Sequence, residues 1–130
     1  MKIKAVDCLE WKAPNKPGEL LRFAAAFKKK GVDMDILWNC GPHGLIGGAA
    51  KKPAKLAAAL KELGVQAQAC TGFHIMGKDK AGALVKVFEK LSAAGINVDF
   101  CTALAAKGKF AAVVWVKDGD VAMARKALKA

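Results

Sequence analysis

Residue types able to make or break covalent bonds are few in this chain and do not stand in working combinations. Serine occurs once, at Ser92, inside a segment with helical periodicity; tyrosine is absent, and the only histidines are His43 and His74. A nucleophile needs a base within hydrogen-bond reach, and acid–base catalysis needs a titratable group held beside its substrate. Cys40 and His43 are the one closely spaced pair of that kind, and the second half of the chain does not reproduce it. The four cysteines, Cys8, Cys40, Cys70 and Cys101, form no CxxC pair, which fits neither a zinc knuckle nor a dense disulfide framework. Free thiols, no metal, no cofactor and no enzymatic activity are the expectations.

Binding chemistry is better represented. The formal charge is +11, with lysines gathered at Lys28-Lys29-Lys30, Lys51-Lys52 and Lys126 to Lys129. Such a charge favours encounter with anions of every kind, including nucleic acid, anionic lipid and small carboxylates, without choosing among them. The 130 residues, 54% of them hydrophobic, suffice for one compact domain or two half-sized ones. No apolar run approaches the roughly 18 to 20 residues that span a bilayer, and the start, MKIKAVDCLEW, alternates instead of forming a signal-peptide block. A cytoplasmic protein is expected, with no membrane partner.

The elements that would position a site are written twice. An offset of 64 residues carries Lys16 to Lys80, Gly18 to Gly82, Leu20 to Leu84, Gly31 to Gly95, Asp35 to Asp99 and Gly44 to Gly108. Apolar positions follow: Phe23 maps to Val87, Phe27 to Leu91, Val32 to Ile96 and Met34 to Val98. Turns and core positions linked by one offset mark a duplication. In the first copy, Lys2 to Trp11 reads as a strand, broken at Asn15-Lys16-Pro17-Gly18. Leu20, Phe23, Ala24 and Phe27 then follow at helical spacing, and the helix ends before Gly31. Val32 to Cys40 and Leu45 to Ala50 flank Gly41-Pro42-His43-Gly44 as a hairpin, its second strand weakened by glycine. Pro53 opens another helix with Leu56, Ala59, Leu60 and Leu63 inward. The second copy predicts a strand at Gln66 to Met76, a helix at Ala81 to Ala94, a hairpin of Asn97 to Leu104 with Lys109 to Val116, and a helix over about Gly119 to Leu128.

Strand, helix, strand, strand, helix is the order of the ferredoxin-like split βαβ fold, which also requires a closing strand. The expected class is therefore α+β: two ferredoxin-like βαββαβ units packed as an intrachain pseudo-dimer, with antiparallel sheets carrying helices on one face. The units divide as residues 1–64 and 65–130. Val65 to Cys70 can close the first, but the second runs out of chain at Ala130. Either the strands 1–11 and 65–76 are shared between the units, which ten residues at roughly 3.3 Å each can reach, or a second chain supplies the missing strand, or it is absent.

These residues resemble the ACT domain, the regulatory ligand-binding module of many enzymes of amino-acid metabolism. Asn15-Lys16-Pro17-Gly18-Glu19-Leu20 looks like the family's Asp/Asn-x-Pro-Gly-x-Leu turn, and Asp79-Lys80-Ala81-Gly82-Ala83-Leu84 like a variant without the proline. Gly95-Ile96-Asn97-Val98-Asp99-Phe100 is similar to the Ile-Asn-Val-Asp stretch known in aspartate kinases. The resemblance covers nearly the whole chain as two tandem copies, like the small stand-alone bacterial proteins of this type. It implies an amino-acid sensor, with ligand at the two turns between paired domains, a homodimer, and a metabolic enzyme as partner. Asn39, four residues beyond Asp35, stands where aspartate kinases carry an amide side chain, whereas Ala103 is its counterpart after Asp99. The chemistry agrees: a helix N-terminus presents unpaired N–H groups and partial positive charge to a carboxylate, and Gly18 and Gly82 let it approach the backbone. The first turn is expected to be the better equipped.

Two other readings are carried alongside. RNA-recognition motifs share the fold, and the charge would suit them, but their central strands expose stacking aromatics that Lys2 to Trp11 and Leu45 to Ala50 lack. A regulatory subunit that has lost its ligand would dock on an enzyme through sheet edges or helices. Heavy-metal carriers of similar fold have CxxC where Pro14-Asn15-Lys16-Pro17 stands here. Trp11, Trp38 and Trp115 are expected in core or interface.

Overall fold

The computed structural model describes residues 1–130. Its elements are β1 (Lys2–Lys12), α1 (Glu19–Lys30), β2 (Met34–Cys40), β3 (Leu45–Ala50), α2 (Pro53–Glu62), β4 (Ala67–Lys78), α3 (Val85–Ala93), β5 (Phe100–Ala106), β6 (Lys109–Trp115) and α4 (Val121–Leu128). Single 3-10 turns lie at Gly41–His43 and Asp118–Asp120. The class is α+β, with antiparallel strand pairs and four helices, as the repeat requires. Two compact units make up the chain: Asp7–Cys70, and Met1–Val6 together with Thr71–Ala130. The divisions fall inside the two longest strands, β1 and β4.

In the Asp7–Cys70 unit the strand neighbours run β2-β3-β1-β4. The apolar stripe of α1 supplies Phe23 and Phe27, which meet Trp11 of β1 at ring-centroid distances of 5.4 and 6.0 Å. Ile46 of β3 and Leu56 and Leu60 of α2 complete this core. Each such side chain contributes roughly 1.5–3 kcal/mol by leaving water. The glycines that weaken β3 as a strand in the sequence have a packing role. A Cβ on Gly47 would run into the ring of Trp38, its partner across β2, and one on Gly48 into the Ile36 carbonyl and the Met34 side chain. The tight approach of β2 to β3 thus depends on missing side chains.

In the other unit the order is β1-β4-β6-β5. Phe73 and Ile75 of β4, Val87 and Leu91 of α3, Phe110 and Val114 of β6, and Leu128 of α4 form its core, and Ile3 and Ala5 of β1 pack against it. α3 begins later than the helix expected from Ala81, because Gly82 sits at φ +75° and a left-handed residue cannot lie inside a right-handed helix. Ala81–Leu84 is a turn instead, with Ala83 N–H donating to the Lys80 carbonyl and Val85 N–H to that of Gly82. β5 starts at Phe100 and runs two residues past Leu104, since Ala105-Ala106 stand where Pro42 and its neighbour interrupt the first copy. The last helix starts at Val121, after the Asp118–Asp120 turn.

The outermost strands differ. β2 carries Asp35 and a register irregularity between Met34 and Ile36. β5 has neither charge nor bulge, and all seven of its residues are exposed. Just after β3, Lys51 Nζ lies 3.1 Å from Oδ2 of Asp33, the residue before β2, and 3.7 Å from Asp35 Oδ1 on β2. The hydrogen bond that Lys51 donates to Asp33, then the charges of Asp33 and Asp35, raise the Lys51 pKa above its usual value of 10.5.

Two outcomes follow from this packing. Gly48→Ala should lower stability by about 1–3 kcal/mol in urea unfolding, whereas Gly119→Ala, with open space around the new methyl, should stay within about 0.5 kcal/mol; equal losses would refute the close-approach account. Because the Lys51 pKa is raised on folding, its ion pairs add stability that is fully present below pH 10.5 and lost as pH rises through the higher folded value. Unfolding midpoints of wild type and Lys51→Met should therefore converge at alkaline pH, and the small difference below it should shrink with salt.

Candidate functional site

The first turn is built by two residues that fix backbone direction and several that converge. Pro17 precedes Gly18, which caps α1 at φ +91° with no side chain completing the cap. Glu19 opens the helix, and its half-turned carboxylate accepts from Arg22 Nη2 at 3.2 Å, leaving the Glu19 side chain only 13% exposed. Arg22 in turn lies over the Phe23 ring, 4.5 Å from its centroid. Asn15 folds onto Gly41, so closely that a Cβ there would sit 2.6 Å from Asn15 Oδ1. Asn15, Lys16, Glu19, Leu20 and Asn39 are brought together with Ala13, Pro14, Gly41 and Ile46 around one cavity, while Pro17 and Gly18 do not line it. Its volume is about 60 Å³. That is room for a few waters.

The second turn borders a cavity of about 380 Å³. Asp79, Lys80, Gly82, Ala83 and Leu84 line it, with Val85 and Phe88 of α3, Ala103, Leu104 and Ala105 of β5, and Phe110 of β6; Ala81 does not. The two linings correspond at the repeat offset: Asn15 with Asp79, Lys16 with Lys80, Glu19 with Ala83, Leu20 with Leu84, Asn39 with Ala103, Gly41 with Ala105, and Ile46 with Phe110. Equivalent positions thus border two cavities of different size. Glu19 and Asn39 put polar side chains into the first, and alanines replace both in the second.

The first turn holds more polar groups than the second, and they line the smaller of the two cavities. Sequence reasoning singled out the two turns and missed the walls of the second cavity, namely Val85, Phe88, Leu104, Ala105 and Phe110. The signal was present in the offset, since Ala83 and Ala103 stand opposite Glu19 and Asn39. A larger cavity of about 660 Å³ lies between the end of β1 and the Gly64–Gln68 segment, lined by Glu10, Trp11, Lys12 and Leu45 among others, and contains none of the motif residues. Although Cys101 is exposed, desolvation by the atoms around it pushes its thiol pKa up, which works against a thiolate nucleophile on β5. Trp11 and Trp115 lie in buried positions, and Trp38 is half-buried. No helix is long and apolar enough to cross a membrane.

No protein-family model matches the sequence, and no curated protein does. Solved structures do match in shape. A protein of Bacteroides thetaiotaomicron superimposes with a TM-score of 0.81 at 22% identity, over 98% of this chain and 88% of its own. The ligand-free regulatory subunit of aspartate kinase from Thermus thermophilus gives 0.65 at 15% identity, over 99% of this chain and 96% of its own. Aspartokinase III of E. coli, in complex with aspartate and ADP, gives 0.62 at 14% identity over 98% of this chain and 33% of its own. The architecture is accordingly that of ACT-like, ferredoxin-type units, the fold of aspartate kinase regulatory domains.

Proposed function

We propose that this chain is a non-enzymatic regulatory protein of amino-acid metabolism that senses an amino acid at the helix-entry turns of its tandem ACT units. The observation that carries the reading is the pair of equivalent cavities, each bordered by one Lys-x-Gly-x-Leu turn and by the strand that follows the helix. The likeness in shape to aspartate kinase regulatory subunits supports it. An amino acid suits such a place because charged side chains of both signs lie at the turn, Lys16 and Glu19 in the first and Asp79 and Lys80 in the second. Asn15, Lys16, Glu19, Leu20 and Asn39 would serve the first site, and Asp79, Lys80, Gly82, Ala83 and Leu84 the second. Pro17, Gly18 and Ala81 shape the turns without lining either cavity.

A regulatory protein must pass its signal on, and β5 is the surface suited to that. An exposed, uncharged, unbulged edge strand invites sheet extension. Antiparallel self-pairing about a two-fold axis would give a homodimer with no charged residue on the paired strands, and a metabolic enzyme is the further partner.

Screening the standard amino acids by thermal shift should find selective stabilisation by one or a few of them, by several degrees near 100 times Kd. A flat screen would sink the proposal. Nucleic-acid binding, the second reading, draws on the +11 charge; it requires salt-sensitive RNA retention on filters that falls steeply between 50 and 200 mM salt, and we expect none beyond weak non-specific binding.

A further inference from the structure

Resting on the amino-acid-binding reading above, we infer that the cavity of the carboxyl-terminal unit is the ligand site of this chain and that it selects amino acids with apolar side chains. At about 380 Å³ it falls within the range of small-molecule sites, roughly 300–1,000 Å³, and its amino-terminal counterpart at about 60 Å³ does not. The difference has a local cause. Ala83 and Ala103 leave empty the volume that Glu19 and Asn39 fill, and β5, free of the proline that ends β2, extends the wall to Ala105.

The lining gives the specificity. Leu84, Val85, Phe88, Leu104 and Phe110 present carbon, and three of them remain substantially exposed: Val85 at 51%, Phe88 at 37% and Leu104 at 76%. Large apolar side chains left exposed side by side mark a surface that something covers. Charge is confined to Asp79 and Lys80, adjacent in sequence at the turn, a carboxylate for an α-ammonium and an ammonium for an α-carboxylate. A second charge on the ligand would lie against carbon without a partner, an arrangement that disfavours aspartate, glutamate and lysine. Each methylene buried between Phe88, Leu104 and Phe110 should add about fourfold to affinity, so leucine should bind more tightly than alanine by tens of fold.

The test uses the full chain, with calorimetric titration and thermal shift against L-leucine, L-isoleucine, L-valine, L-methionine and L-phenylalanine on one side and L-aspartate, L-lysine and L-serine on the other. The apolar group should bind, one molecule per chain, and the polar group should not. The double variant Ala83→Glu/Ala103→Asn imports the side chains that fill the first site and that the fold already accommodates there. It should weaken binding by at least about tenfold while moving the unliganded Tm by less than about 2 °C. Leu104→Asp, on an exposed edge strand, should do the same, whereas Glu19→Ala/Asn39→Ala should leave apolar binding in place. If an amino acid binds but the best ligand is polar or charged, or if binding ignores both carboxyl-terminal variants, this inference is overturned while the amino-acid reading stands. If no amino acid binds at all, both fall.

Discussion

A ferredoxin-like sheet is complete only when its fourth strand lies beside its first, and this requirement governs the chain. The Asp7–Cys70 unit draws β1, β2, β3 and β4 from one continuous stretch. The carboxyl-terminal unit has only three strands of its own within Thr71–Ala130, and residues 2–6 of β1 complete it, with Ile3 and Ala5 reaching its core. An open edge beside β4 would leave a row of unpaired backbone groups at the centre of the fold. The length of β1 and β4, eleven and twelve residues against six or seven for the others, answers that demand. Alternation must persist through both halves of each strand, since slipping by one residue would turn the core side chains outward.

Duplication fixed the frame and left the contents free to diverge. In both copies a helix enters from a left-handed glycine, packs an apolar stripe, and returns by a strand that runs past the same turn. Where Pro17 precedes Gly18 the helix starts at once; where Ala81 precedes Gly82 a turn of i→i−3 hydrogen bonds comes first. Small changes on that frame have large effects on the enclosed space. Two polar side chains and one proline distinguish a cavity of about 60 Å³ from one of about 380 Å³.

Much of the fold was legible in the sequence because core spacing and turn residues were repeated at one offset, and each copy corroborated the other. The element order and the positions of Phe23, Phe27, Val87 and Leu91 followed directly. Less legible were features that depend on contact across the chain. Gly47 and Gly48 read as a weak strand because their role is to make room for Trp38 and the Ile36 carbonyl, a relation between β2 and β3 that neither strand states alone. The start of α3 was misplaced because helical periodicity from Leu84 onward says nothing about the sign of φ at Gly82. The candidate cavities were half legible: the motifs point to the turns that border them, yet a count of polar residues, which favours the first turn, carries no information on the cavity of about 60 Å³ that Asn15 and Asn39 line. Polarity measures what could contact a ligand, and volume decides whether one can enter.

The distribution of polarity bears on the kind of chemistry the molecule supports. The carboxylates, lysines, arginines and histidines all stay outside the buried core, and Cys8 is the one thiol inside it. Three of the exposed apolar side chains are grouped. Val85, Phe88 and Leu104 border one cavity, and Leu104 also belongs to the uncharged edge β5. One strand therefore touches both the cavity of about 380 Å³ and an uncharged, exposed sheet edge.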